Sequence, residues 1–182
     1  TQGVSSAASD VYKRQVDKHS CATARVGRVG CLAIRRTLVV GGVTSHASSP
    51  GQLIEPNGRT VFGMTALRKA YGIRALGSPK HVIAIVDAFH SGTALRDLNV
   101  YRDTFGAAAI ADCSKSSATV ALRNAVSSGT PCFRQVDQRG VASTGETTDV
   151  GWAQETELDL EMATAVCPNC SLTVVEAASP SF

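Results

Sequence analysis

Apolar and polar positions alternate regularly only in the last two thirds of this chain. His81-Val82-Ile83-Ala84-Ile85-Val86 is a continuous apolar run that ends at Asp87, and it predicts a buried parallel strand. Leu95, Leu98, Val100, Tyr101 and Phe105 then recur at helical spacing between Thr93, a candidate cap, and Gly106, a candidate stop. Thr65 to Tyr71 predicts a short helix with Thr65 as its cap. Phe133 to Val136 predicts a short strand within a loop-rich stretch from 107 to 150, and Leu172 to Glu176 predicts another strand. Between these two strands, Trp152 to Val166 has no Gly or Pro and is rich in Ala, Leu, Glu and Met, so it reads as a helix. Strand, helix, strand, helix, strand is the pattern of an α/β fold with a doubly wound parallel sheet.

The helix from Trp152 to Val166 carries the candidate chemistry. At about 100° per residue, Glu157 and Glu161 fall beside Gln154 on the expected wet face. Glu155 and Asp159 fall within a stripe made by Trp152, Leu158, Met162, Ala163 and Val166. Two carboxylates four residues apart share a helix face, and on an apolar face their charges are costly. One of such a pair normally holds a proton, which makes the pair an acid–base device. An ordinary amphipathic helix, one residue out of this register, would instead leave both acids in water. Asp87 reads two ways as well, as a site residue or as the acid that often closes a buried strand near a topological switch point.

At 182 residues the chain is long enough for one domain with a real core. Its apolar runs are too short to span a bilayer, so no membrane association is expected. The net charge of +3 conceals an asymmetry, with 12 Lys/Arg against 3 Asp/Glu in residues 1–86 and 6 against 12 in residues 87–182. The arginines are scattered and few aromatics lie among them, which argues against nucleic acid as a partner. Residues 16–40 read as an irregular basic segment, and the Gly/Ser/Pro-rich stretch 41–59 as a linker. Ser5 to Gln15 resembles, residue for residue, the translation of a common transposase-based sequencing adapter. Residues 1–15 are therefore treated as non-native and set aside.

Six cysteines fall into three local pairs, Cys21 with Cys31, Cys113 with Cys132 and Cys167 with Cys170. An even count at short separations predicts disulfides and an extracellular, secreted protein, although six cysteines allow 15 connectivities. The Cys167-Pro168-Asn169-Cys170 segment closes a helix and precedes a strand. A redox pair would open a helix, where the thiol pKa falls, so a structural turn disulfide is expected here. No second such pair and no His pair accompanies it, and no metal is expected.

Four segments in order resemble the sedolisin family of serine-carboxyl peptidases, which have a subtilisin-like fold. Phe62 to Tyr71 resembles the start of the sedolisin catalytic domain. Val82 to Ala88 resembles its first core strand, and Leu98 to Gly106 the helix that follows. Gly151 to Glu161, continuing to Ala165-Val166-Cys167-Pro168, resembles the segment that carries the catalytic Glu and Asp. The resemblance covers about residues 60–182, and residues 16–59 match only loosely as a pre-catalytic segment. It implies the N-terminal part of a partial subtilisin-like sheet, in a monomeric endopeptidase that acts on polypeptide substrates at acidic pH. Glu155 would be the general base, Asp159 would orient it and share its proton, and Asp87 would be auxiliary.

The pattern also departs from the family. Sedolisins place their nucleophile in a Ser-Gly-Thr-Ser motif and an oxyanion-hole Asp further along than Phe182, and their calcium site also lies downstream. No cofactor is therefore expected within these residues, and the chain by itself is expected to be inactive. Ser91-Gly92-Thr93 is expected to start a helix, and Ser128-Gly129-Thr130 to lie in the long loop, so neither is expected to supply the nucleophile. The alternatives are a non-catalytic secreted binding module and a thiol–disulfide protein using Cys167 and Cys170.

Overall fold

The computed structural model describes residues 15–19, 21–23, 25–31, 34–38, 46–49, 52–54, 60–145 and 147–181. Most of the adapter-like residues and much of the stretch 41–59 lie outside that set. The basic segment is irregular only between its ends, at residues 21–31, because β1 (Gln15–His19) and β2 (Ile34–Leu38) pair antiparallel. The expected linker likewise contains β3 (His46–Ser49) and β4 (Gln52–Ile54), which form an antiparallel sheet with β5 (Thr60–Phe62). Gly and Pro mark turns as readily as linkers, and here they separate short paired strands.

The body of the protein is a four-stranded, all-parallel sheet of β6 (Val82–Ala88), β7 (Ala111–Asp112), β8 (Cys132–Asp137) and β9 (Ser171–Ala177), in the order β6-β9-β8-β7. Helix α1 (Met64–Ala70) precedes it, and its N-cap is Gly63, so the expected cap Thr65 lies inside the helix. The three crossover helices are α2 (Ala94–Thr104), α3 (Ala118–Ser128) and α4 (Val150–Val166). Thr93 takes the N-cap position of α2 without a side-chain cap bond, and Gly106 follows the helix at φ +77°. The stretch 107–150 is less loop-rich than its composition suggests, since it holds β7, α3 and β8. Ser128 ends α3, and Gly129 adopts the left-handed cap conformation at φ +68°.

Strand alternation divides the sheet into two faces. Ile85, Phe133, Leu172 and Val174 point to the face covered by α2 and α4, where they join Ala94, Leu98, Ile110 and Leu160 in one buried cluster. Cys132, Arg134, Ser171 and Thr173 point to the other face, where Ala121 and Ala125 of α3 pack against Cys132. β6 is less enclosed than its composition implies. It forms one edge of the sheet, and Val86 on its second face is 68% exposed. A continuous apolar run therefore does not distinguish a central strand from an edge strand.

All three local cysteine pairs are disulfides. The Cys21–Cys31 loop rests on the start of α4, with Cys31 and Trp152 buried together against Ala88. Val29 N–H donates to Pro180 O at 2.7 Å, which ties the loop to the segment after β9. Among the described residues no helix is long and apolar enough to cross a membrane.

The Cys167–Cys170 turn dictates the residue opposite it. Gly77 sits at φ +73°, and a Cβ there would lie 2.1 Å from Cys167 Sγ and 2.7 Å from Cys170 Sγ. Gly140 has a similar φ of +80° but open space around it. Gly140→Ala is therefore expected to cost about 1 kcal/mol from backbone strain alone, and Gly77→Ala clearly more. Urea unfolding of the oxidised chain reads both values, and equal losses would show that the disulfide turn yields without cost.

Candidate active site

Asp87 ends β6 on the face that α4 covers, and only 6% of it is exposed. The Asp149 carboxylate caps α4 by accepting from Trp152 N–H at 2.9 Å, which fixes where the first turn of the helix begins. From that start Trp152, Thr156, Leu160 and Thr164, each four after the last, form a buried stripe with Gly151 and Ala165 beside it. This is not the stripe expected from the sequence. Leu158, at 42% exposure, faces outward, as do Met162 and Val166. Thr156 and Thr164 occupy core positions because both have internal partners. Thr156 Oγ1 donates to Trp152 O at 3.0 Å, and Thr164 Oγ1 accepts from Arg102 Nη1.

This register sets the acids on the two flanks of the buried stripe. Glu155 and Asp159 lie on one flank, near enough to Asp87 for their charges to act on it. Burial, then the Asp159 charge, then that of Glu155 push the Asp87 carboxyl up to about 6, against an opposing hydrogen bond with Thr156. Burial and the neighbouring Glu155 charge also raise Asp159. Asp87 Oδ2 is buried and has no hydrogen-bond partner among the described residues.

Glu157 and Glu161 lie on the opposite flank, facing α2, and are not on a wet face. Burial raises Glu157, although Ser91 Oγ donates to its Oε1 at 2.8 Å. Burial and then the Glu157 charge push Glu161 up to about 7. Tyr101 rises to about 12 through burial and the charge of Glu161. The expected pair of wet-face acids is thus a second half-buried pair, because the core stripe lies between the two flanks.

A further cluster was not singled out from the sequence. Glu176 ends β9 in register with Asp87 and Asp137, and 6% of it is exposed. Its carboxylate accepts from His90 Nδ1 at 2.9 Å, Gln135 Nε2 at 2.5 Å, Ser91 N–H at 3.2 Å and Ser143 Oγ. Phe89, just before His90, takes a φ of +66°, a conformation that costs a non-glycine residue about 1 kcal/mol or more. A cleft of about 400 Å³ opens beside this cluster, walled in part by His90, Asp137, Ser143 and Thr147. The acid at the end of an apolar strand, matching Asp87 on β6, was the one available hint.

Ser91 is 2% exposed and bonded to Glu157, and Ser128 ends α3 on the other side of the sheet. Among the described residues no three His, Cys, Asp or Glu side chains converge as a metal would require. No family model, no curated protein and no solved structure matches this chain.

The raised acids make the native state sensitive to alkali. A carboxyl whose folded pKa exceeds its unfolded value contributes stability that is complete below the unfolded value and lost as pH rises through the folded one. For Asp87 that window runs from 3.8 to about 6, and for Glu161 from 4.5 to about 7. Thermal stability should therefore decline between pH 4 and pH 7.5. Asp87→Asn should recover between about 1 and 3 kcal/mol at pH 7.5 and little at pH 4. Melts at the two pH values test this, and an equal loss at both would contradict it.

Proposed function

We propose that Asp87, Glu155 and Asp159 are the acid–base part of a serine-carboxyl endopeptidase site in an exported protein of subtilisin-like, sedolisin type. The observation that carries this reading is that Asp159 and Glu155 lie near enough to Asp87, beside the C-terminal end of β6, for their charges to raise it. In open parallel sheets the strand ends on this side are where ligands bind. A carboxylate can take a proton from a serine hydroxyl only while it is ionised, yet an ordinary one is too weak a base. Burial and neighbouring charge raise Asp87 and Asp159, the two acids on the same flank, toward the working pH of such a site. In this reading Glu155 is the base, Asp159 holds and shares its proton, and Asp87 extends the network. Coupled acids of this kind titrate as a group.

The serine attacks the peptide carbonyl as Glu155 removes its proton. The acyl-enzyme forms as that proton passes to the leaving amine, and water then releases the acyl group. The residues here supply the proton-handling half of this sequence. The nucleophile and the oxyanion donor are assigned to chain beyond these residues, and the cleft beside His90 is a candidate place for the polypeptide. Three disulfides and the absence of a membrane-spanning helix among the described residues accord with an exported protein. A secreted binding module with the same fold is the second reading, favoured by the burial of Ser91 and its pairing away from Glu155.

The nucleotides that follow the codon for Phe182 discriminate between the two. An in-frame Asp followed by Ser-Gly-Thr-Ser is expected, whereas a stop codon there favours the module. Protein made from the whole reading frame should hydrolyse casein faster at pH 4 than at pH 8. Glu155→Gln should lower kcat by about 100-fold or more, the usual scale for a lost general base. Equal rates at the two pH values, or a fully active Glu155→Gln, would falsify the peptidase reading.

A further inference from the structure

The three proposed acids come from two elements, β6 and α4, with no covalent link near the point where they meet. Something must hold the end of the strand and the first turns of the helix in one arrangement. The Glu176 carboxylate stands at the junction of the pieces involved. It accepts from the His90 ring and from Ser91 N–H, so it fixes the turn that begins just after Asp87. Through Ser143 Oγ it holds the loop that leads to Asp149, the α4 cap. His90 N–H donates to Thr147 O at 2.8 Å and joins that same turn to that same loop. Ser91 Oγ then reaches α4 itself, at Glu157, which lies between Glu155 and Asp159 in sequence.

These bonds use Glu176 fully. Its two oxygens take donors from the turn after β6, from Gln135 of β8 and from the loop after β8, all at 6% exposure. A carboxylate only accepts, so it suits a site where every neighbour donates. An amide in its place would set its own N–H groups against those donors. Gly145 shapes the other side of the clamp. It sits at φ +79°, and a Cβ there would lie 2.6 Å from the His90 ring, so only a glycine leaves the imidazole room beside Glu176.

We propose that Glu176, with His90 as its principal donor, is a positioning residue that sets the distance between Asp87 and the Glu155–Asp159 flank of α4. The inference concerns the site assigned above, but its test needs no turnover. The Asp87 carboxyl is raised first by burial and then by the Asp159 and Glu155 charges, so this elevation should fall when the clamp is released and α4 draws away.

The experiment is a carboxyl-carbon NMR titration of Asp87 in the chain and its variants. Glu176→Gln and His90→Ala should weaken proton binding at Asp87 about tenfold, one unit of pKa. His90→Gln still offers a donor to Glu176 and should restore most of the shift. If Glu176→Gln does not fold, Ser143→Ala removes a single donor and should move Asp87 the same way by less. An unchanged Asp87 midpoint in folded His90→Ala and Ser143→Ala would overturn the proposal, whatever those changes do to thermal stability. A whole protein that is inert toward casein while Asp87 moves as described supports the clamp and sinks the peptidase reading. An active protein whose Asp87 does not move has the opposite meaning.

Discussion

The burial of Leu160 against the sheet is the contact on which the rest of the site depends. It is fully enclosed among Ile85, Phe133, Leu172 and Val174, so the azimuth of α4 is fixed by packing and not by its charges. Removing such a side chain from a packed core typically costs 2–5 kcal/mol. That is enough to outweigh the penalty of holding several acids half out of water. Once the stripe of Trp152, Thr156, Leu160 and Thr164 faces inward, the acids have nowhere to go but the two flanks. One flank meets Asp87 and the other meets Ser91. The raised carboxyls are thus a by-product of apolar packing, imposed on groups that in isolation would turn to solvent.

Much of the fold was legible in the sequence because strong periodicity and helix punctuation agree with tertiary packing in the second half. The strands at Val82, Cys132 and Ser171, the long helix and the all-parallel arrangement follow from those signals. So does the local cysteine pairing, since short separations bring the thiols together without demands on the rest of the fold. Register within the long helix was less legible. Thr156 and Thr164 had no place in the expected stripe, and Leu158, Met162 and Val166 drew it toward themselves. Hydroxyls that bond back to the helix or to Arg102 are as easily buried as leucine, and composition does not reveal such partners. Short strands below 60 were missed because three or four residues between turn formers carry too little pattern.

The candidate site divides in the same way. Asp87, Glu155 and Asp159 were singled out as acids beside apolar residues; the stripe drawn for the helix pair was the wrong one, yet both acids lie near enough to Asp87 for their charges to raise it. Glu176, His90, Gln135 and Ser143 were not singled out, because their association is set by strand register and by a loop conformation. A turn that places Phe89 in the left-handed region leaves no mark in its residue type. Local chemistry can be read from local sequence, but convergence of distant segments has to be seen in the fold.

The disulfides describe a protein made of separately tied bundles. Their separations of 10, 19 and 3 residues close small loops, and no bridge joins one region to another distant in sequence. In the chain-entropy view, each constrains its own short segment of the unfolded ensemble and does little for long-range order. The loop closed by Cys21 and Cys31 is therefore a preformed unit that docks on the start of α4 through Trp152, Ala88 and the Val29–Pro180 bond. Its attachment is an intramolecular binding equilibrium, governed by effective concentration and open to competition. Among the described residues its residence on the body is set by apolar contact and by backbone pairing of Arg28 and Val29 with Pro180 and Ser181, and by no disulfide to the body.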